Sequence, residues 1–209
     1  MDATSYRDIL TATGSYYSAK LDQFGETHKG VDWNSTESQE LRFAQLLKVV
    51  DLSTQFSLND FGCGYGHLYD YVSKLAQDFT YVGYDISTKM IESASKRLPF
   101  QNCSFEFGQS LSATSDYTVA SGIFNVRQNA DDDIWLAYIL KLLDDMDDHS
   151  KRGFSFNCLT KYSDKEYMKD YLYYADPLVL FDHCKRNYSK NVALLHDYGL
   201  YEFTILVRK

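Results

Sequence analysis

Seven residues constrain this chain more than any others: Asp60-Phe61-Gly62-Cys63-Gly64-Tyr65-Gly66, three glycines at alternate positions. The run Phe56 to Phe61 before them reads as a short strand, and Leu68, Tyr71, Val72 and Leu75 after them return at helical spacing. Glycines at such a junction let main chain approach a ligand without a Cβ in the way, beside free amides at a helix start. A dinucleotide fingerprint has the spacing G-x-G-x-x-G, and a Walker A loop needs G-x-x-x-x-G-K-S/T; neither is present. The turn instead suits a ligand with a carboxylate end.

The surrounding pattern alternates. An amphipathic helix is predicted from about Ser38 to Val50, with Ser35 or Thr36 and Glu37 as its start signal. Thr80 to Asp85 is a second strand, Ser87 caps a helix carrying Met90, Ile91, Ala94 and Leu98, and Pro99 stops it. Strands follow at Ser104–Phe107, Tyr117–Ser121 and Gly153–Leu159. Asp131, Asp132 and Asp133 open a helix at its positive dipole end, and Leu178–Cys184 forms another. Asn191–His196 and Tyr201–Val207 read as a hairpin around Tyr198-Gly199. Parallel strands need long crossovers, so this order implies an α/β fold: a seven-stranded, mostly parallel sheet with helices on both faces and an antiparallel C-terminal hairpin. In such sheets ligands bind beyond the carboxyl ends of the strands, which puts the glycine turn, Asp85, Ser110 and Ser121 to Asn125 on one rim.

No repeat, linker or low-complexity tract divides the 209 residues, so one domain is expected, with residues 1–40 as an N-terminal arm or lid on a 41–209 core. The arm carries Tyr16-Tyr17, Phe24 and Trp33, with Gly14, Gly25 and Gly30 as hinges. Of the formal charge of −8, most comes from Asp131 to Asp148, where seven Asp face one Lys. Without a basic face a polyanion is poorly held, so nucleic acid is not the expected partner. Apolar runs are too short for a membrane span, and the opening Met1-Asp2-Ala3-Thr4-Ser5-Tyr6 lacks a signal pattern, so a cytoplasmic location is expected. Cys63, Cys103, Cys158 and Cys184 are scattered, with neither disulfide nor zinc spacing, and are expected to be reduced and mostly buried; no metal is expected.

An acidic residue closing the second strand suits a ribose diol, because one carboxylate accepts from both hydroxyls; Asp85 stands there. With D-x-G-x-G-x-G and Asp85 together, the chain from about Leu41 onward resembles the class I S-adenosylmethionine-dependent methyltransferases. The resemblance implies a Rossmann-like sheet and S-adenosylmethionine as cofactor. It makes Gly62, Cys63, Gly64 and Gly66 the turn around the methionine part, Asp60 a contact to its amino group, Asp85 the ribose anchor and Ile86 a wall for the adenine. The family often contacts the adenine amine with an Asp after the third strand; here Gln109 and Ser110 take that place. Ser121 to Asn125 follow the fourth strand, where the family lines the gap between sulfonium and substrate.

Methyl transfer is an in-line displacement, so alignment supplies much of its rate, and a base is needed only where the acceptor must lose a proton. His28 in the arm and His196 in the hairpin are the candidate bases, with Asn125 beside the gap. His67 opens a helix near the cofactor, whereas His149 and His183 fit structural roles. Arg42 reads either as a clamp for a carboxylate or as a surface ion pair, and Lys161, Tyr162, Tyr173 and Tyr174 as dressing for an acceptor pocket. Phe124-Asn125-Val126 replaces the Asn-Pro-Pro-aromatic motif of nucleobase and glutamine methylases, which favours a small polar metabolite methylated on oxygen or nitrogen. The alternatives are a protein or RNA methyltransferase that needs a partner, and an inactive module that only binds the cofactor.

Overall fold

In the computed structural model, which describes residues 3–209 and side chains from Asp8 on, the glycine turn sits at the centre of a seven-stranded sheet. Met1 and Asp2, at the head of the 1–40 arm and of the opening without a signal pattern, lie outside the described residues. The strands are β1 (Phe56–Phe61), β2 (Phe79–Asp85), β3 (Cys103–Phe107), β4 (Ser115–Ala120), β5 (Ser150–Leu159), β6 (Asn191–Leu195) and β7 (Glu202–Arg208), in spatial order β3-β2-β1-β4-β5-β7-β6. β1 to β5 are parallel neighbours, and β7 lies antiparallel between β5 and β6. This is the expected mostly parallel sheet with its antiparallel ending. The order reverses between β1 and β4, which opens a crevice beside the glycine turn.

Helices α1 (Ala3–Phe24), α2 (Thr36–Leu46), α3 (His67–Ser73), α4 (Thr88–Arg97), α5 (Asp132–Asp148) and α6 (Pro177–Asn187) cover the sheet. The pleat divides the core in two. Phe61, Phe154, Phe156, Phe203 and Ile205 face α5 and α6, packing on Trp135, Ile139, Leu143 and Leu180. Leu58, Tyr81, Val119 and Leu206 face the other way, onto Phe43, Leu46, Leu68 and Val72. On that second face β5 and β7 also present Ser155, Asn157, Glu202 and Thr204, all buried. Four buried polar side chains need partners, and α2 supplies some of them.

Local chemistry sets the helix ends. Ser35 and Ser38 form a reciprocal capping box on α2, so Ser38, not Glu37, completes the start signal. Ser87 caps α4 through Met90 N, and Asp176 caps α6 with Pro177 in its first turn. The predicted helix from Ser38 to Val50 is α-helical only to Leu46; Leu47–Val49 tighten into a 3-10 turn that delivers the chain to the sheet. Further, β5 starts three residues earlier than its apolar run, at Ser150, whose hydroxyl reaches Thr118 and the Met146 carbonyl.

The arm does not stand apart. α1 packs on α4, where Ser18 and Ser87 share a hydrogen bond of 2.8 Å and the Gly14 position allows no side chain without crowding the Ile86 carbonyl. α2 crosses the expected boundary at residue 40. All four cysteines are free, three of them buried and Cys103 half-buried, and no metal-binding cluster occurs among the described residues. No helix of the described residues is long and apolar enough to cross a membrane.

Candidate functional site

Two cavities meet at the carboxyl ends of β1, β2 and β4. The first is a narrow slot whose wall includes Asp60, Gly62, Cys63, Gly64, Asp85, Ile86, Gln109 and Ser121. Its floor is main chain. Gly62 and Gly64 have φ of 82° and 55°, a conformation that favours glycine, and a Cβ on Gly62 would fall 2.0 Å from Ile123 Cγ2.

Asp85 braces the turn. One of its oxygens accepts from Gly64 N at 2.9 Å and the other from Ser87 N at 2.8 Å. Burial raises its carboxyl to about 6, against the pull of those amides and that of Ile86. Each carboxylate oxygen keeps a further lone pair, so the residue has capacity for two more hydrogen bonds. Deeper in, Asp60 accepts from the Tyr81 hydroxyl at 2.5 Å, with no hydrogen bond to its Oδ1 among the described residues. Desolvation by burial pushes Asp60 up to about 7, opposed by Tyr81 and assisted by the negative charge of Asp85.

Three buried polar atoms on the same wall have no hydrogen-bond partner: Gln39 Oε1, His67 Nε2 and Ser121 Oγ. His67 Nε2 lies 3.8 Å from the Glu40 carboxylate, beyond hydrogen-bonding range, while the other ring nitrogen faces Asp70 at 3.5 Å. Buried polar groups are nearly always satisfied, so three orphans around one glycine turn mark a place for a polar ligand. Ser121 belongs to the expected rim and His67 was expected near the cofactor, whereas Gln39, a polar residue one turn before Phe43 on α2, carries no signal in the sequence.

The turn's other glycine is corrected by the structure. Gly66 is absent from the slot wall: it caps α3 at φ 82°, and a Cβ there would press on Leu98 and Phe105. Its role is to let the helix pack. Ser110 likewise leaves the slot and lines a shallow groove with Leu10, Gly14 and Ser87.

The second cavity is wider and built of side chains, among them Asn34, Asn125, Tyr167, Lys169, Tyr171 and Tyr174. Tyr17, Val31, Trp33 and Gly122 line both cavities, so they form the wall between them. Three of those four come from the arm. Trp33 lies over Gly122, where a Cβ would sit 2.4 Å from the indole, and the Arg42 guanidinium stacks 4.0 Å from its ring centre.

Arg42 is neither a free clamp nor a surface pair. It is buried and forks onto Glu202, Nε to Oε2 at 2.8 Å and Nη2 to Oε1 at 2.6 Å. Asn157 Nδ2 donates to the same Oε2, and Asn157 Oδ1 accepts from Gly122 N at 2.7 Å. A chain of contacts therefore runs from Trp33 through Arg42, Glu202 and Asn157 back to Gly122. Two of the four buried polar side chains of β5 and β7, Asn157 and Glu202, find their partners here; Ser155 donates to the Leu46 carbonyl and Thr204 pairs with the Tyr198 hydroxyl.

The expected bases are placed elsewhere. His28 is outside both cavity walls, its Nδ1 3.4 Å from Thr36 Oγ1, because the 3-10 turn 28–31 directs Val31, not His28, onto the slot. His196 is exposed past the end of β6, its ring against Tyr162 and Phe203. Asn125 does line the second cavity, but its Oδ1 accepts from Leu159 N at 3.0 Å, which fixes the loop after β4. Of the four residues expected to dress an acceptor pocket only Tyr174 lines the second cavity: Lys161 pairs with Asp176, Tyr162 points outward and Tyr173 joins the core. Tyr171 and Lys169 were missed, since nothing in their spacing marks them.

Comparison with known proteins gives a consistent result. A family model described as a methyltransferase domain matches residues 59–146. Over 164 residues, 78% of this chain and 99% of the relative, the sequence is 53% identical to the protein of Mycobacterium tuberculosis (strain ATCC 25618 / H37Rv) named "Putative methyltransferase Rv1506c". Among solved structures, the magnesium protoporphyrin IX methyltransferase from Synechocystis PCC 6803 with bound SAH superposes with a TM-score of 0.66 at 17% identity, all of both chains covered. The N-methyltransferase NodS from Bradyrhizobium japonicum WM9, in complex with S-adenosyl-l-homocysteine, gives 0.66 at 14% identity over 94% of this chain and 98% of its own. At such identities the solved structures establish a shared fold.

Proposed function

This chain belongs to the class I S-adenosylmethionine-dependent methyltransferases, and on that premise we propose that it methylates an oxygen or nitrogen of a small polar compound held in the second cavity. When bound, the cofactor supplies an electrophilic methyl carbon on a positively charged sulfur. The observation that carries the reading is the trio of unpartnered buried atoms, Gln39 Oε1, His67 Nε2 and Ser121 Oγ, gathered on a wall of bare glycine backbone.

Those atoms match the polar ends of an amino acid. Gln39 Oε1 and Asp60 accept from an ammonium, while His67 and Ser121 are able to donate to a carboxylate. Asp85, ionised at neutral pH and with two lone pairs to spare, accepts from the ribose hydroxyls, and Ile86 and Met90 offer apolar surface for a flat base. The negative field of Asp60 and Asp85 favours a cationic ligand over a neutral one.

For the chemistry the chain contributes position. The wall of Tyr17, Val31, Trp33 and Gly122 is the only boundary common to the two cavities described, so the reacting atoms meet there, and the Trp33 indole over Gly122 excludes water from the junction. The Arg42–Glu202 pair holds the Trp33 ring in place. Titration calorimetry with S-adenosylmethionine and S-adenosylhomocysteine tests the reading: both bind one site per chain. Absence of heat with either would overturn it, and labelled-methyl transfer to small acceptors then reports the acceptor atom.

A further inference from the structure

Neither histidine named from the sequence serves the second cavity as a proton acceptor, since His28 and His196 lie outside its wall. Among the described residues two carboxylates stand on that wall, Asp32 and Glu202. Glu202 is sealed. It is 1% exposed, its Oε2 accepts from Arg42 and Asn157 and its Oε1 from Arg42, and a proton there would leave the buried Arg42 charge without its counter-charge. Asp32 is half-buried, and each of its oxygens accepts one bond of 2.6 Å, Oδ1 from Lys20 and Oδ2 from the Tyr16 hydroxyl. Each therefore keeps a lone pair.

Its place in the chain matters as much. Val31 and Trp33, on either side of it, line the wall common to both cavities, whereas Asp32 lines the second alone. The residue thus stands beside the junction, on the acceptor side. Its backbone is held at φ 62°, a left-handed conformation that side chains other than Asn and Asp seldom adopt, with its N–H closing the 28–31 turn onto the Lys29 carbonyl. Two tethers from α1 and that turn fix the carboxylate together. Backbone strain of this kind persists where the surroundings over-determine it, commonly at a working side chain.

The charge of the wall indicates which proton it takes. Asp32 and Glu202 are matched by Lys20 and Arg42, and Lys169 adds a cation that pairs with no carboxylate among the described residues, its partner being the Tyr171 hydroxyl at 3.5 Å. A wall without surplus negative charge favours a neutral hydroxyl over an ammonium. As an alcohol oxygen bonds to a methyl carbon its O–H becomes strongly acidic, so an ordinary carboxylate is basic enough to receive the proton.

We propose that Asp32 is the catalytic base and that the acceptor is an alcohol whose hydroxyl donates to a free lone pair of its carboxylate, the product being a methyl ether. This rests on the reading of the chain as an enzyme with its acceptor in the second cavity. In the step, a lone pair of the hydroxyl oxygen forms the bond to the methyl carbon, the carbon–sulfur bond breaks with its electron pair remaining on sulfur, and the O–H proton passes to Asp32. The half-exposed carboxylic acid then returns that proton to water.

Labelled-methyl transfer on the full chain tests this, with benzyl alcohol and cyclohexanol as probes for a cavity walled by aromatic rings and benzylamine for comparison. The alcohols should take the label and the amine should react about tenfold more slowly. Asp32→Asn, which keeps the shape and tolerates the left-handed backbone, should lower the alcohol rate about 100-fold or more. Calorimetry should find its affinity for S-adenosylhomocysteine unchanged. Asp32→Gly should be as slow, and formate, but not chloride, should restore its rate about tenfold, a response that a structural role would not give. No label on either alcohol, an amine that reacts as fast, a loss under about fivefold in Asp32→Asn, or an Asp32→Gly rate indifferent to formate would each overturn the proposal. Failure of S-adenosylhomocysteine to bind the unaltered chain is a separate result, and would remove the underlying reading instead.

Discussion

The two cavities are made of different material. The slot proposed for the methyl donor is floored by main chain from one tight turn, Gly62 to Gly64, and fixed by a carboxylate 21 positions along from Gly64, Asp85. The second cavity, proposed for the acceptor, is made of side chains brought from the arm, the loop after β4, the segment before α6 and the β6–β7 connection. Backbone can hold a ligand that never changes; side chains can be exchanged to suit one that does. The slot is thus the general part of the molecule, and the second cavity the part that makes it particular.

The largest expected effect breaks the comparison on the acceptor side. Glu202→Ala leaves the Arg42 charge buried without its partner, and should cost about 3–5 kcal/mol in urea unfolding. A loss under about 1 kcal/mol, the range of surface pairs, would mean that the acceptor wall is not braced by this pair. Next, Gly64→Val puts a branched side chain at φ 55° with its Cβ 2.9 Å from Val31 Cγ1. Cofactor affinity should fall about 100-fold, or about 2.7 kcal/mol by calorimetry, while the circular dichroism of the sheet is kept.

Asp85→Ala should weaken the cofactor by about 1–3 kcal/mol, the cost of hydrogen-bonding groups left without a partner. Unchanged affinity would remove its role at the ribose and leave only the brace on Gly64 N. The smallest effect sharpens the comparison by pH. Asp60 sits near 7 when folded against about 3.9 unfolded, so the folded state binds the extra proton. That contribution to the stability of the free protein is full below about pH 4 and fades as pH rises to about 7. A cationic cofactor needs Asp60 ionised, so its affinity should rise about five- to tenfold from pH 6 to pH 7.5. In Asp60→Asn both trends should flatten; a wild-type affinity that falls over this range would contradict the assignment.

The same division explains what the sequence made legible. The slot is local in the chain: Asp60 to Gly66, Asp85 and the Ser87 cap lie within one strand–helix–strand unit, where spacing carries the geometry. The sheet was legible for the same reason, since each strand is a short apolar run between turns. The helix ending at Leu46 was not, because Leu47, Val49 and Val50 are apolar in either geometry. Gly66 looked like a ligand glycine because it shares the alternate spacing of Gly62 and Gly64, although its missing side chain makes room for Leu98 and Phe105. The wall of the second cavity was beyond reach. Arg42 reads as a carboxylate clamp or a surface pair until Glu202 is brought to it, and His28 and His196 were named for segments whose imidazoles lie outside both cavity walls.

The Arg42–Glu202 pair joins positions separated by 160 residues. On the ribosome, Arg42 emerges long before the strand that will neutralise it. The Trp33 ring, stacked on that guanidinium, therefore gains its full support only when β7 has paired between β5 and β6. Closing the sheet and bracing the partition over Gly122 are one and the same folding event.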